Sequence, residues 1–455
     1  MSASGKARFN LPYVDPAEFT PYFTRIPGSR RSPRLLHCES VALDRIAAKF
    51  GTPTYVYSQS AIEGAFTELV RGLGRLPHLL CFAVKANGNL SILKLLARLG
   101  SGFDIVSGGE LDHLGRIGVP GRRIVFSGVG KTREEIRAAL AYTSTPSHSP
   151  GILQFNVESP AELDLLLEEV SRRRPLAVPL PGVSIRVNPD VSAGGHPHIS
   201  TGLSHHKFGV SWEEARALYL RHRASPYIRW QGISAHIGSQ IVELAPFRKA
   251  LHRLIGHLLD LRKQGIALQY LDFGGGLGVR YTNESPISRT GYARMVARAV
   301  QPLGVGLLLE PGRSIIASSA VLLSTVISTK RNSAKSFVIV DAAMNDFARP
   351  VLYDAPHPVT PVRTAGNSRT TPSQRVDVVG PVCESGDSFL QDWPLGPVAA
   401  GDTVAIWGAG AYGFVQASNY NGRCRPAEVL VKGKSARLIR RRETHDDLLR
   451  TDVLA

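Results

Sequence analysis

The chain has 455 residues, of which 43% are hydrophobic and 20% charged. Those are ordinary globular proportions, with length enough for two domains that each bury a core. The net charge is +17, but the basic residues lie scattered in short clusters such as Arg30-Arg31, Arg172-Arg173-Arg174 and Arg440-Arg441-Arg442, with no interleaved aromatics, so the footprint of a nucleic-acid interface is missing and only a modest attraction for anionic substrates remains.

Residues 1 to about 35 show no strong periodicity and are expected to be a partly irregular extension. They carry no apolar core of a signal peptide. Residues 36–58 are expected to pack with a C-terminal β domain. The run Leu79-Leu80-Cys81-Phe82-Ala83-Val84 reads as a strand buried on both faces, and Lys85 ends it. A lysine at the mouth of such a strand is expected beside a desolvated pocket, where its amine can attack a carbonyl. Taken alone, the same residue is more often a snorkelling surface lysine.

Strand-like and helix-like runs then alternate. Eight strands are expected to end near Lys85, Ser107, Ser127, Asn156, Asn188, His236, Gly274 and Glu310. Amphipathic helices are expected at Leu90 to Leu99, Arg133 to Ala141, Pro160 to Arg172 and Pro246 to Lys263, the third opened by a Ser159-Pro160 cap. Eight β-α units of this size predict a (β/α)8 barrel over residues 59–312, with catalytic residues at the C-terminal ends of its strands. Beyond it, short β-branched runs at Ser336 to Asp341, Arg375 to Val379, Thr403 to Trp407 and Ala427 to Val431 predict an all-β domain over 313–455, a β-barrel or sandwich. Ser144 to Pro150 and Pro356 to Ser373 read as loops, the second long and polar. The stretch Ile315 to Ser328 is too short and serine-rich to span a bilayer. The four cysteines, Cys38, Cys81, Cys383 and Cys424, form no C-x-x-C pair and read as reduced thiols. A cytoplasmic protein with no membrane partner is expected.

Four features could carry chemistry. Asp272-Phe273-Gly274-Gly275-Gly276-Leu277-Gly278 follows the seventh strand, and glycines let backbone N–H groups converge on an anion such as phosphate. Glu310 ends the eighth strand, ahead of Pro311-Gly312-Arg313; pointing into a barrel mouth, it needs a cationic partner. His236, in His236-Ile237-Gly238-Ser239-Gln240, could stack its ring on a planar cofactor, with Ser239 helping to hold a phosphate. With Lys85, these describe one cofactor, pyridoxal 5'-phosphate: a lysine to hold it covalently, an acid to keep its ring nitrogen protonated, and a ring that serves as an electron sink.

The chain resembles the fold-type III pyridoxal decarboxylases of the alanine racemase and ornithine decarboxylase superfamily, and more narrowly the diaminopimelate decarboxylases. The resemblance rests on Phe82 to Asn87, Gly102 to Leu111, Arg186 to Asp190, His236 to Gln240, Asp272 to Gly278, Glu310 to Arg313, Met344-Asn345-Asp346, Arg349-Pro350, Gly380-Pro381-Val382-Cys383-Glu384-Ser385-Gly386-Asp387 and Gly408 to Tyr412, spanning residues 40 to 432. It implies decarboxylation of meso-2,6-diaminopimelate to L-lysine, the last step of lysine biosynthesis. By position it implies that Lys85 holds the cofactor, that His236 stacks on it, and that Glu310 pairs with its ring nitrogen. Ser239, Gly275, Gly276, the backbone of Glu310, Pro311, Gly312 and Arg313, and Tyr412 would hold its phosphate. Arg313, Arg349, Tyr353, Glu384 and Tyr412 would read the substrate. Cys383 would be the proton donor, reaching in from the partner in a homodimer with shared active sites. Two arginines and a glutamate suit the far end of diaminopimelate, a zwitterionic amino acid group. No metal is implied. Another diaminopimelate-like, basic or conjugated amino acid is the alternative substrate, and a catalytically dead binding homologue the third reading.

Overall fold

The computed structural model describes residues 15–27, 33–144, 150–173, 179–191, 207–364 and 374–454. They form two compact units. One comprises Glu63–Val279 and Ser285–Ile315; the other comprises the chain up to Ile62, Arg280–Glu284 and Ile316 onward.

The first unit is a closed barrel of eight parallel strands: β1 (His78–Ala83), β2 (Gly102–Ile105), β3 (Ile124–Phe126), β4 (Gln154–Val157), β5 (Gly182–Arg186), β6 (Arg229–Ser234), β7 (Tyr270–Asp272) and β8 (Gly306–Leu309). Closure comes from β8 pairing with β1, Leu307 to Leu309 opposite His78 to Leu80. A helix follows each of the first seven strands: Leu90–Arg98, Gly108–Arg116, Arg133–Ala141, Pro160–Ser171, Trp212–Arg221, Leu244–Lys263 and Arg289–Val300. Their starts are written in side chains. Ser159 Oγ accepts from Glu162 N, with Pro160 in the first turn, where its missing N–H costs nothing. Thr132 and Glu135 exchange both bonds of a capping box. Each strand is short, so side chains just beyond its C-terminal end crowd the barrel mouth.

The second unit is mostly sheet. Its main path runs Ser388–Pro394, Arg375–Val379, Ser336–Val340, Ala320–Arg331, Thr54–Ser58, Ala427–Lys432 and Ser435–Arg440. Thr403–Trp407 pairs with both Ala320–Arg331 and Val359–Pro361. Phe23, Leu36, Val56, Val321, Leu323, Trp407 and Val429 share its core, so residues that precede the barrel in sequence complete the sheet that follows it.

Three expectations change. Residues 15–27 are ordered: Phe23–Pro27 pairs with Arg34–Cys38, and Phe23 is fully buried against Trp407. One anchoring aromatic outweighed a run with no periodicity. The loop expected over 356–373 is, in its first half, Val359–Pro361 and Arg363–Thr364, two strands whose partners lie far away in sequence; its second half, 365–373, lies outside the described residues. The barrel is also interrupted, since Arg280–Glu284 belongs to the sheet unit. Most of the Ser144–Pro150 segment likewise lies outside the described residues. No helix among those described is long and apolar enough to cross a membrane, and all four cysteines are free.

Candidate active site

Strand β1 stops at Ala83. Lys85 sits one turn further on, in the 3-10 turn Val84–Ala86. Its side chain is 39% exposed, and Nζ donates to Asp104 Oδ2 at 2.7 Å. Asp104, at the end of β2, is fully buried, and its Oδ1 has no hydrogen-bond partner among the described residues. A buried carboxylate therefore aims the amine. Beside them, burial pushes Glu110 up to about 7, opposed by a bond from Val106 N and by the charge of Lys85.

Deeper in the mouth lie two more carboxyls. Glu310, just past β8, accepts from Asn156 Nδ2 at 3.1 Å and Ser127 Oγ at 3.3 Å. Asp272, the last residue of β7, accepts from Asn156 Nδ2 at 3.1 Å, Gln154 Nε2 at 3.4 Å and Gly274 N at 3.1 Å. Burial is the first cause that holds both acids above the ordinary carboxylate range, Asp272 at about 6 and Glu310 well above its usual value. Among the described residues no side chain forms an ion pair with Glu310: Lys85 pairs with Asp104 and Arg186 with Glu158, and their charges lower Glu310 less than burial raises it.

The glycine loop closes over the ends of β6 to β8. Gly275 N donates to His236 Nδ1 at 3.0 Å, which places the ring proton on Nε2. Burial, then Arg186 and Lys85, hold His236 well below its ordinary value, so the imidazole is neutral. A side chain at Gly275 would meet Glu310 O at 2.3 Å. Gly276 has φ +105°, and a Cβ there would meet Gly238 O at 2.5 Å. Glu310 N donates to Gly274 O, and Pro311 O accepts from Ala83 N, which ties this loop to both β7 and β1. Arg313, 4% exposed, donates from Nε and Nη2 to Ser239 Oγ at 3.1 and 3.0 Å. Gly312 precedes it in the same segment.

The remaining expected residues all belong to the sheet unit. Arg349 is buried in a ring of tyrosines, its guanidinium 5.5 Å from the centroids of Tyr281 and Tyr353 and 5.9 Å from Tyr412. Its Nε donates to His357 Nε2 at 3.2 Å, and His357 is oriented through Nδ1 by Trp407 O at 2.8 Å. Cys383 and Glu384 are exposed on a turn that Asp387 shapes by accepting from Met344 N and Val382 N. Cys383 N donates to Asn421 Oδ1, and a hydrogen bond to Glu384 raises the Tyr420 phenol.

Sequence reasoning missed roles for Asp104, Asp272, Asn156, Tyr281 and His357. The first three lie within the last two residues of barrel strands, and the position itself was the overlooked signal. Tyr281 and His357 lie in no motif, and only folding brings them to Arg349.

A parallel barrel whose strand ends carry a lysine, a glycine loop and a buried acid in no ion pair among the described residues fits one class: enzymes that hold a phosphorylated pyridine cofactor. The family model "Pyridoxal-dependent decarboxylase, pyridoxal binding domain" matches residues 59–317. A diaminopimelate decarboxylase of Pseudomonas aeruginosa is 48% identical over 413 residues, 91% of this chain and 95% of that one. Among solved structures, diaminopimelate decarboxylase from Helicobacter pylori complexed with L-lysine has a TM-score of 0.82 at 41% identity, covering 90% of this chain and 98% of that one. The enzyme from M. jannaschii, in complex with L-lysine, has a TM-score of 0.84 at 33% identity, covering 95% and 98%. The chain belongs to the diaminopimelate decarboxylase family of pyridoxal-dependent decarboxylases.

Proposed function

We infer that this protein removes CO2 from meso-2,6-diaminopimelate to give L-lysine, using pyridoxal 5'-phosphate. The observation that carries the reading is Glu310: a buried carboxyl in no ion pair among the described residues, in the same mouth as Lys85 and a loop whose glycines let it pass close to the backbone of Glu310 and Gly238. Such a carboxyl is costly unless a cation meets it, and a protonated pyridine nitrogen is that cation. The residues present thus fit the cofactor. Relatives named diaminopimelate decarboxylase, two of them solved with L-lysine, supply the substrate.

When bound, the cofactor supplies a covalent link to the substrate amine and a sink for the electrons that CO2 leaves behind. Lys85 Nζ would tether it, with Asp104 Oδ2 receiving one of the ammonium protons and aiming the amine. Neutral His236 offers a flat face that adds no positive charge beside the ring. Glu310 would hold the ring-nitrogen proton, and the Gly276 N–H with Ser239 the phosphate, the Gly275 N–H being already donated to His236 Nδ1. Tyr412 is assigned to the phosphate and the substrate. Arg349, Tyr353, Glu384 and Arg313 are assigned to the substrate's far amino acid end. A site built from charges rejects a substrate that leaves them unpaired.

We extend the reading to a cytoplasmic homodimer in which Cys383 of the second copy protonates the product carbon. Support comes from four free thiols, which fit a reducing compartment, and from the exposure of Cys383 and Glu384 on one turn.

Mass-spectrometric product analysis with meso-diaminopimelate, ornithine, lysine and arginine tests the substrate. L-lysine from diaminopimelate alone is expected; preferential decarboxylation of another of the four overturns it. Arg349→Lys keeps the charge but loses the planar fork, and is expected to raise KM for diaminopimelate at least ~10-fold with a smaller change in kcat. Gly276→Ala brings a Cβ against Gly238 O at a positive φ, and is expected to weaken cofactor binding in reconstitution titrations by ~10-fold or more.

A further inference from the structure

Asp272 has no role in the reading above, yet it is placed as carefully as Glu310. Asn156 Nδ2 stands 3.1 Å from Asp272 Oδ2 and 3.1 Å from Glu310 Oε1. Gln154 Nε2 donates to Asn156 Oδ1 at 2.7 Å, which turns the Asn156 amide so that its nitrogen faces both carboxyls. Asp272 is fully buried, and a single amide nitrogen holds the two acids side by side. Two carboxyls so close and out of water do not both ionise without a large cost, which favours a proton on one of them.

We propose, resting on the pyridoxal reading above, that Asp272 and Glu310 form a dyad that keeps one proton at all times: shared between them in the cofactor-free protein, and moved from Glu310 onto Asp272 when a protonated ring nitrogen takes the Glu310 carboxylate. The balance is closed. One oxygen–hydrogen bond breaks at Glu310, one forms at Asp272, the ring nitrogen keeps its own proton, and none passes to solvent. The dyad carries one negative charge before and after, and that charge meets one positive charge.

The alternative, two ionised carboxylates side by side, would bury a second negative charge with no partner. The charged groups that face the dyad argue the same way. From β2, Asp104 adds repulsion; from beyond β1 and from β5, Lys85 and Arg186 draw Glu310 down, but each is paired elsewhere, with Asp104 and Glu158, and acts less strongly than burial, Asp104 and Asp272 push it up; from beyond β6, His236 is neutral. From β1 itself the buried Cys81 thiol is held up by burial first and then by Asp272, Glu310 and Asp104, so it supplies no counter-charge. The raised values of Asp272 and Glu310 follow from this arrangement. Asp272 acts through Glu310 and is a positioning residue.

The test uses the full-length protein freed of cofactor and pyridoxine 5'-phosphate, which has the ring and phosphate but no aldehyde for Lys85. Calorimetry at about pH 8 in two buffers of different ionisation enthalpy counts protons. Wild type is expected to bind with no net proton release. Asp272→Asn cannot take the proton, so its binding is expected to release about one, with affinity rising ~10-fold per pH unit between about pH 7 and 8. Infrared spectra of the cofactor-free wild type are expected to show a protonated-carboxyl stretch at about pH 8 that Glu310→Gln removes; these two proteins keep the proposal testable should Asp272→Asn not fold. Release of about one proton by wild type, absence of that stretch, or a wild-type proton count in Asp272→Asn overturns the dyad and leaves the pyridoxal reading standing. No binding of the probe by wild type overturns the pyridoxal reading and the dyad with it.

Discussion

Lys85→Ala is expected to abolish the visible absorbance of covalently held cofactor and to lower kcat by at least ~10³-fold, because no other amine stands beside Asp104 among the described residues. The same change should also cost stability, for a reason unrelated to catalysis. It leaves Asp104 fully buried and without its cation. Removing one partner of a buried pair costs several kcal/mol, and with Lys85 39% exposed the loss should be about 1–3 kcal/mol. Chemical denaturation of the variant against wild type checks this. The double variant Lys85→Ala with Asp104→Asn should recover stability and no activity. Recovery of activity, or retention of the absorbance in Lys85→Ala, would remove Lys85 from the chemistry.

Mixing two inactive proteins is expected to restore activity. If Cys383 serves the site of the second copy, a Lys85→Ala subunit and a Cys383→Ala subunit combine into a hybrid dimer with one complete site. Random exchange makes half the dimers hybrid, each with one of two sites working, so roughly a quarter of wild-type activity should return. The measurement is activity after verified subunit exchange. None recovered would place Cys383 in its own subunit's site or outside the chemistry. Cys383→Ser should separate acid from shape: it keeps a hydroxyl of similar size whose proton is far harder to lose than that of a thiol, so turnover should fall while substrate KM changes little.

Both expectations use residues visible in the chain before folding, and the reason is local. An apolar run announces the polar residue that ends it: Lys85 follows Leu79 to Val84 and Glu310 follows Leu307 to Leu309, whereas the strand before His236 carries Gln231 and Ser234. The glycine loop was legible because Gly276 sits at a φ that other residues avoid. Helix starts such as Ser159-Pro160 were legible because a cap is a contact between residues three apart.

The rest depends on contacts that have no signature in sequence. Val359–Pro361 reads as part of a polar loop until Thr403–Trp407 lies beside it, and Phe23 reads as part of an irregular extension until Trp407 covers it. Tyr281, Tyr353 and Tyr412 become one environment only around Arg349. Barrel and decarboxylase family were therefore determined by the sequence alone, through periodicity, residue type and motif, which are properties of neighbours along the chain. Which partner each charge meets was decided by the tertiary structure. Closing eight strands into a ring brings Asp104 to Lys85 and Asp272 to Glu310, and the cost of a buried charge depends on what stands within a few ångströms of it, a distance that separation along the chain does not predict.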